Sequence, residues 1–326
     1  MPSPTKDIRK GLLTLLAEGS GQGEREEPST IFPVLEHARA FEPDVALIVG
    51  DRGAGKTSLK RALEDPSVRS ALVKRFPSVR LPISRLEFRN GWPLGGSGPD
   101  QRSWRAFAAS HSAQEATDVW FAYLVRQMVK DSPAAAIGAQ RIADLATLMN
   151  AEAVDANACL DALGKLGVKP TAALDAIDDL LVKEDRWIFV AYDELDTMVD
   201  EWAALGKVLR GLISFWTAYA RRWKRIKPKL FLRTDFYKHN REVSGADLAK
   251  LAANRVELTW SDKNLYGALI KHLVNRKNHG DGSDLHDHFG KVVTLEQDPV
   301  LGWLPILNEA KDAKPFVDRL VAMPIS

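Results

Sequence analysis

A single cysteine, Cys159, leaves the chain with no possible internal disulfide, and a chain without oxidative staples is expected in a reducing cytoplasm. Long apolar runs are missing too. No stretch approaches the roughly 18–20 residues a membrane span needs. Met1 to Lys10 lacks the basic segment, apolar run and small-residue site of a secretory signal, so neither a membrane nor export is expected. An excess of one charge is also absent: 45 basic residues face 43 acidic ones, a net charge of +2. That balance removes the whole-molecule electrostatic case for a nucleic-acid binder. No internal repeat appears at solenoid periods. What is present is 326 residues, 45% hydrophobic and 27% charged, a composition expected of a water-soluble globular protein with one large α/β domain and an appendage, or two domains.

Strand and helix signals alternate along the chain. Residues 1–43 read as a short helix (Ile8, Leu12, Leu13, Leu16), a polar Gly/Ser/Glu stretch and a second helical piece over Phe32 to Ala40. Val45 to Val49 is apolar throughout and bounded by Asp44 and Gly50, the pattern of a strand buried on both faces. A helix is expected from Lys56 to about Leu63, then a strand within Val79 to Phe88 that Pro82 would keep at an edge. The Gly- and Pro-rich segment Asn90 to Arg102 reads as a loop. Trp92 and Trp104 flank it, either as a contact surface or as pins to the core. From about 113 to 183 the pattern is helical, with breaks at Pro133, Gly167 and Pro170, and reads as a helical insertion. Trp187 to Ala191 is a second apolar strand leading into Asp193 and Glu194. An amphipathic helix follows, carrying Trp202, Leu205, Leu209, Leu212, Ile213 and Trp216. Leu230 to Leu232 is a third strand, ending at Arg233, Thr234 and Asp235. Val256 to Trp260 is a weaker strand ahead of a helix with Leu265, Leu269 and Leu273. Such alternation predicts an α/β fold around a parallel sheet.

Three strand ends carry the candidate chemistry. Gly50-Asp51-Arg52-Gly53-Ala54-Gly55-Lys56-Thr57, followed by Ser58, fits G-x-x-x-x-G-K-[ST] between a buried strand and a helix, the context a phosphate-binding loop requires. Its glycines allow backbone N–H groups to converge on phosphate at a helix N-terminus. Lys56 would reach the outer phosphates, and the Thr57 hydroxyl would bind magnesium. Parallel strands bring their C-terminal ends to one rim, so Asp193 and Glu194 would face the same crevice. Asp193 would hold magnesium there, and Glu194 would polarise the attacking water. Arg233 or Thr234, on a strand between the other two, would approach the terminal phosphate. Alternatively, Arg233 pairs with Asp235 or Asp196 in a structural ion pair. The absence of an N-K-x-D-like motif at a strand end favours adenine over guanine.

GDRGAGKTS, VAYDELD, LFLRTDFY and RVELTW before a leucine-patterned helix together resemble the STAND and KAP branch of AAA+-related P-loop ATPases. The nearest likeness is to a large, mostly bacterial group of STAND-like ATPases whose members often occur in antiphage defence. Four short motifs between about residues 44 and 275 carry the resemblance, and the first of them is the specific one. It implies a P-loop NTPase fold of the additional-strand class, with a parallel sheet in the order 5-1-4-3-2 and a helical lid after the last strand. It also implies ATP with magnesium, and nucleotide-controlled assembly. On this basis residues 1–43 are an N-terminal helical extension, 44–260 an ATPase core and 261–326 a C-terminal helical lid. The expected function is an ATP-hydrolysing switch or assembly ATPase, cytoplasmic and homo-oligomeric, plausible in antiviral defence. The segment PFVDRLVAMPIS carries no effector or sensor signature, which calls for a protein partner or for further chain. Arg255 and Arg241 are the candidates for an arginine supplied to a neighbouring subunit.

A second reading is a DNA-binding AAA+ ATPase of replication, transposition or DNA-remodelling type. Its contact would be Arg221 to Lys229, where six basic residues in nine surround Trp223 and could hold phosphates while the indole stacks on a base. The same charges also suit a solvated helix C-terminus. His279, Asp281, Asp284, His286, Asp287 and His288 supply metal-ligand types without a metal-ligand spacing, and read as a surface turn.

Overall fold

The computed structural model describes residues 32–79, 85–92, 99–130, 143–150, 155–167, 169–261 and 264. In chain order these form α1 (Leu35–Arg39), β1 (Leu47–Gly50), α2 (Lys56–Glu64), α3 (Pro66–Arg75), β2 (Leu86–Trp92), α4 (Gln101–Ser110), α5 (Ala113–Lys130), α6 (Ala146–Asn150), α7 (Ala156–Lys165), α8 (Thr171–Lys183), β3 (Trp187–Tyr192), α9 (Trp202–Tyr219), β4 (Ile226–Arg233), α10 (Thr234–Leu251) and β5 (Val256–Leu258). The fold is α/β, with helices interleaved among five parallel strands in the order β2-β3-β4-β1-β5. Read from the other edge, this is the 5-1-4-3-2 order that the resemblance implies.

The strands form where apolar runs leave no polar face. β1 is buried at every position, and β3 at every position after Trp187. Side chains alternate across the sheet. Ile188, Val190 and Tyr192 of β3 join Leu47 and Val49 of β1, and Leu230 and Leu232 of β4, in one hydrophobic core with α4, α5, α7, α8 and α9. On the opposite face Phe189 meets Phe88 edge-on at 5.7 Å. Burying each large apolar side chain contributes about 1.5–3 kcal/mol, so this two-sided burial holds the strand ends in place.

The stretch from 113 to 183 is helical where described and shares the core of the sheet. α5 begins with a capping box: Glu115 accepts from the Ser112 backbone N–H at 2.7 Å, while its own N–H donates to the Ser112 hydroxyl at 3.2 Å. It then crosses α9 closely at Gly211, where a Cβ would lie 2.6 Å from that of Ala116. Trp120 donates from Nε1 to the Val208 carbonyl at 3.1 Å and stacks on Trp104 at 4.8 Å. Trp92 and Trp104 are both buried, so they pin their segments to the core.

Three expectations need correction. β2 runs over Leu86–Trp92 rather than within Val79 to Phe88, and so takes in Asn90 to Trp92, expected as loop. Gly91 permits this: a Cβ there would sit 2.3 Å from the Tyr192 ring, so only glycine lets the edge strand close against β3. The supposed loop also ends early. Asp100 caps α4 by accepting from the Ser103 N–H at 2.7 Å. Finally, β4 starts at Ile226, inside the basic stretch, and α10 follows Arg233 directly.

The described residues divide into two compact units, the larger made of 39–60 and 85–258. In the smaller, made of 32–38, 61–79, 259–261 and 264, Phe32 and Val34 cluster with Trp260. His37 meets Trp260 edge-on at 5.9 Å, and burial lowers its pKa to about 4. Apart from Ser261 and Asn264, the lid expected over 261–326 lies outside the described residues, as does the 1–31 part of the N-terminal extension. No described helix is long and apolar enough to cross a membrane.

Candidate functional site

The C-terminal ends of β1, β3 and β4 point to one rim because the strands are parallel; β1 and β4 end level with each other, and β3 ends beside the middle of β4. Gly50 pairs with Arg233, and Tyr192 with Leu230. β1 ends at Gly50, where a Cβ would lie 3.0 Å from that of Ala54 and 3.2 Å from that of Leu258, so the absence of a side chain lets the loop fold back beside β5. The loop then turns, with the Ala54 N–H donating to the Asp51 carbonyl at 3.1 Å. Gly53 and Gly55 adopt φ of +82° and +85°, a region that glycine alone enters freely, and each faces open space. Asp51, Arg52 and Gly53 are exposed, Ala54 is buried, and Gly55, Thr57 and Ser58 are half-buried. α2 starts at Lys56, so its free N–H groups open onto the loop.

Lys56 bends over this loop. Its Nζ donates to the carbonyls of Gly50 and Asp51, both at 2.8 Å. Burial lowers its pKa, Asp193 and Asp196 oppose that shift, and Arg233 reinforces it. The ammonium group thus shares one electrostatic environment with the ends of β3 and β4.

Asp193, just past β3, is 4% exposed, and its N–H continues the sheet by donating to the Trp92 carbonyl at 3.0 Å. Glu194 is exposed and in the left-handed region, at φ 53° and ψ 30°. Such a conformation is costly for a residue with a Cβ and clusters at functional sites. It opens a 3₁₀ turn, Leu195–Thr197, in which the Thr197 N–H and hydroxyl donate to the Glu194 carbonyl at 2.9 and 2.8 Å. The backbone of the buried acid is therefore fixed by the sheet, and its neighbour is exposed.

At the end of β4, Arg233 makes both of the alternative ion pairs. Its Nε and Nη2 donate to the two carboxylate oxygens of Asp235 at 3.1 and 2.6 Å, and its Nη1 donates to Asp196 at 3.1 Å. These hydrogen bonds, led by that of Asp235, raise its pKa further. The guanidinium lies over the Phe236 ring at 5.5 Å, and Phe236 stacks on Trp202 at 4.3 Å. Thr234 is half-buried at the first turn of α10.

Comparison with protein-family models, with curated proteins and with solved structures gives no match. The site therefore has to be read from its own chemistry. Lys56, Thr57, Asp193 and the open glycine turn are of the types that a magnesium–triphosphate group would need: a cation and helix N–H groups for phosphate, and a hydroxyl and a carboxylate for the metal. The residue missed as a site component is Asp196, named from sequence only as a pairing option. Its signal was its position, the last acid in Asp193-Glu194-Leu195-Asp196.

The basic stretch is exposed in part and buried in part. Trp223 is 1% exposed, and its Nε1 donates to Asp175 at 3.0 Å. Arg222 pairs with Asp175 through two bonds at 2.8 and 2.6 Å, and Arg225 with Asp185 at 3.0 Å. Lys229 is fully buried and donates to the Glu42 and Val45 carbonyls, both at 2.6 Å. Of the remaining cations, Lys227 bonds the Ala220 and Trp223 carbonyls, and Arg221 and Lys224 are exposed. Arg255 pairs with Glu257 at 2.8 Å, whereas the Arg241 side chain lies outside the described residues. The segment 279–288 also lies outside them, and no metal-binding cluster of three or more His, Cys, Asp or Glu occurs among the described residues.

Proposed function

We propose that the chain binds ATP with magnesium at this rim and hydrolyses it, as a nucleotide-controlled switch or assembly ATPase of the additional-strand P-loop class. The observation that carries this reading is the strand order. β4 lies between β1, which bears the Gly50–Ser58 loop, and β3, which bears Asp193 and Glu194. A third strand end, with Arg233, therefore stands between the phosphate loop and the acidic pair.

The roles follow from position. The loop N–H groups and Lys56 hold the phosphates, and Thr57 and Asp193 hold magnesium. When bound, the metal neutralises charge on the outer phosphates. Glu194, exposed and directed by its left-handed backbone, orients and polarises the attacking water. Arg233 answers the terminal phosphate. Homo-oligomeric assembly, an effector or sensor partner, and a place in antiviral defence follow from the resemblance to STAND-like ATPases. No geometric observation favours the DNA-remodelling alternative, since Trp223 and Lys229 are buried.

The test is phosphate release from ATP and magnesium by wild type, Lys56→Ala and Glu194→Gln, with and without DNA, beside light scattering of the same samples. Turnover that is lost in both variants and indifferent to DNA, with an assembly state that shifts with ATP, is expected. Strong stimulation by DNA would move the alternative ahead. Turnover that survives Lys56→Ala would remove the reading.

A further inference from the structure

Arg233 is held unequally from its two sides. Asp235, two residues away, takes Nε and Nη2 together and so fixes the plane of the guanidinium. Asp196 takes only Nη1, through one bond at 3.1 Å. The Arg233 side chain remains one-third exposed, at 33%, so an anion arriving at the rim can reach it. Asp196 belongs to the turn that Glu194 opens. Its bond to Nη1 thus ties the middle strand of the rim to the turn carrying the exposed acid. Arg233 with its two partners adds one net negative charge beside Lys56, which feels both Asp196 and Arg233.

A guanidinium bound by two carboxylates has no reason to prefer the second once a more highly charged oxyanion is offered in its place. We propose that Asp196 is a positioning residue that competes with the terminal phosphate of a nucleoside triphosphate for Nη1 of Arg233. The Asp196 contact is kept in the nucleotide-free and diphosphate-bound states and is given up to a triphosphate. Release leaves Asp235 holding the guanidinium plane and unties the turn Leu195–Thr197 from β4, so Glu194 is repositioned only when the bond to be cleaved is present. Arg233 also lies over Phe236, which stacks on Trp202. At 48% exposed, that indole would report the movement by its emission. This inference rests on the ATP reading above and adds to it how the site tells ATP from ADP.

The test is calorimetric titration of the full chain with magnesium and either ADP or a non-hydrolysable ATP analogue. Wild type, Asp196→Asn, Arg233→Ala and the double variant are compared, with Asp196→Ser as a second replacement. Either Asp196 variant should raise the preference for the triphosphate about threefold to fivefold, the scale of one partly exposed ion pair. In the Arg233→Ala background the same change should leave that preference unmoved. The analogue, but not ADP, should shift a Trp202 signal defined by subtracting Trp202→Phe spectra. Equal changes for both nucleotides, or a selectivity change that persists without Arg233, would overturn the proposal while leaving the ATP reading intact. Failure of wild type to bind either nucleotide would overturn both.

Discussion

The two ends of β4 carry basic residues in opposite circumstances. In its first half, Lys229 is buried against backbone carbonyls and the face of Phe189, at 4.5 Å. Asp178, itself buried, accepts the N–H groups of Lys224, Arg225 and Ile226 at 2.8, 2.7 and 3.1 Å. At its end, Arg233 is paired but one-third exposed, beside an open glycine turn and an acid in a strained conformation. One end is closed and satisfied. The other keeps charge within reach of solvent, which is what a binding rim needs and a stable fold does not.

If that division holds, rim substitutions change chemistry and spare stability, while substitutions at the base do the reverse. The largest effect expected is from Glu194→Gln, which should lower ATP turnover by about a hundredfold or more while leaving the urea midpoint unchanged. A matching fall in stability would break the comparison. Asp178→Ala should destabilise the chain by about 2–4 kcal/mol in urea unfolding, because three backbone donors lose their acceptor. ATP affinity of the folded fraction should be unaffected.

Lys229 sharpens the contrast through pH. Burial lowers its pKa well below its ordinary value. Between its folded value and about 10.4 the unfolded chain binds the extra proton, so this group makes stability rise with pH. Lys229→Met should flatten that rise, read as the difference between urea midpoints at about pH 7 and about pH 9. Lys56 and Lys227 are lowered in the same direction and remain in both proteins. An unchanged slope would mean that burial does not lower the Lys229 pKa as described. The smallest effect is from Arg221→Glu with Lys224→Glu, within about 0.5 kcal/mol of wild type and without consequence for ATP turnover.

The rim was readable in the sequence because its strands β1 and β3 are short apolar runs ending abruptly in glycine or acid. The base of β4 was not. Lys227 and Lys229 interrupt any apolar pattern, and a lysine reads as surface until its carbonyl partners are known. The partners of Lys229 lie in the segment before β1, far along the chain, while those of Lys227 are Ala220 and Trp223, close by in sequence. α10 was missed for a related reason: Lys238 to Gly245 is polar apart from Val243 and ends in glycine, with Leu248 and Leu251 arriving only at the end. The start of α4 was hidden by the glycines before it, although Asp100 with Ser103 is a capping signal. At the site, the Gly50–Ser58 loop, Asp193 and Glu194 could be assigned to one rim from sequence, because strand ends in a parallel sheet must converge. That Arg233 makes both of its possible ion pairs could not, since choosing between Asp196 and Asp235 requires side-chain geometry.

The most direct measurement is calorimetric titration of the purified chain with ATP and magnesium, beside Lys56→Ala. The account predicts one ATP bound per chain by wild type and binding lost in the variant, whose melting temperature without nucleotide stays at that of wild type. Wild type that binds no ATP, or Lys56→Ala that binds it equally well, would contradict the claim that the rim of β1, β3 and β4 is a nucleotide site.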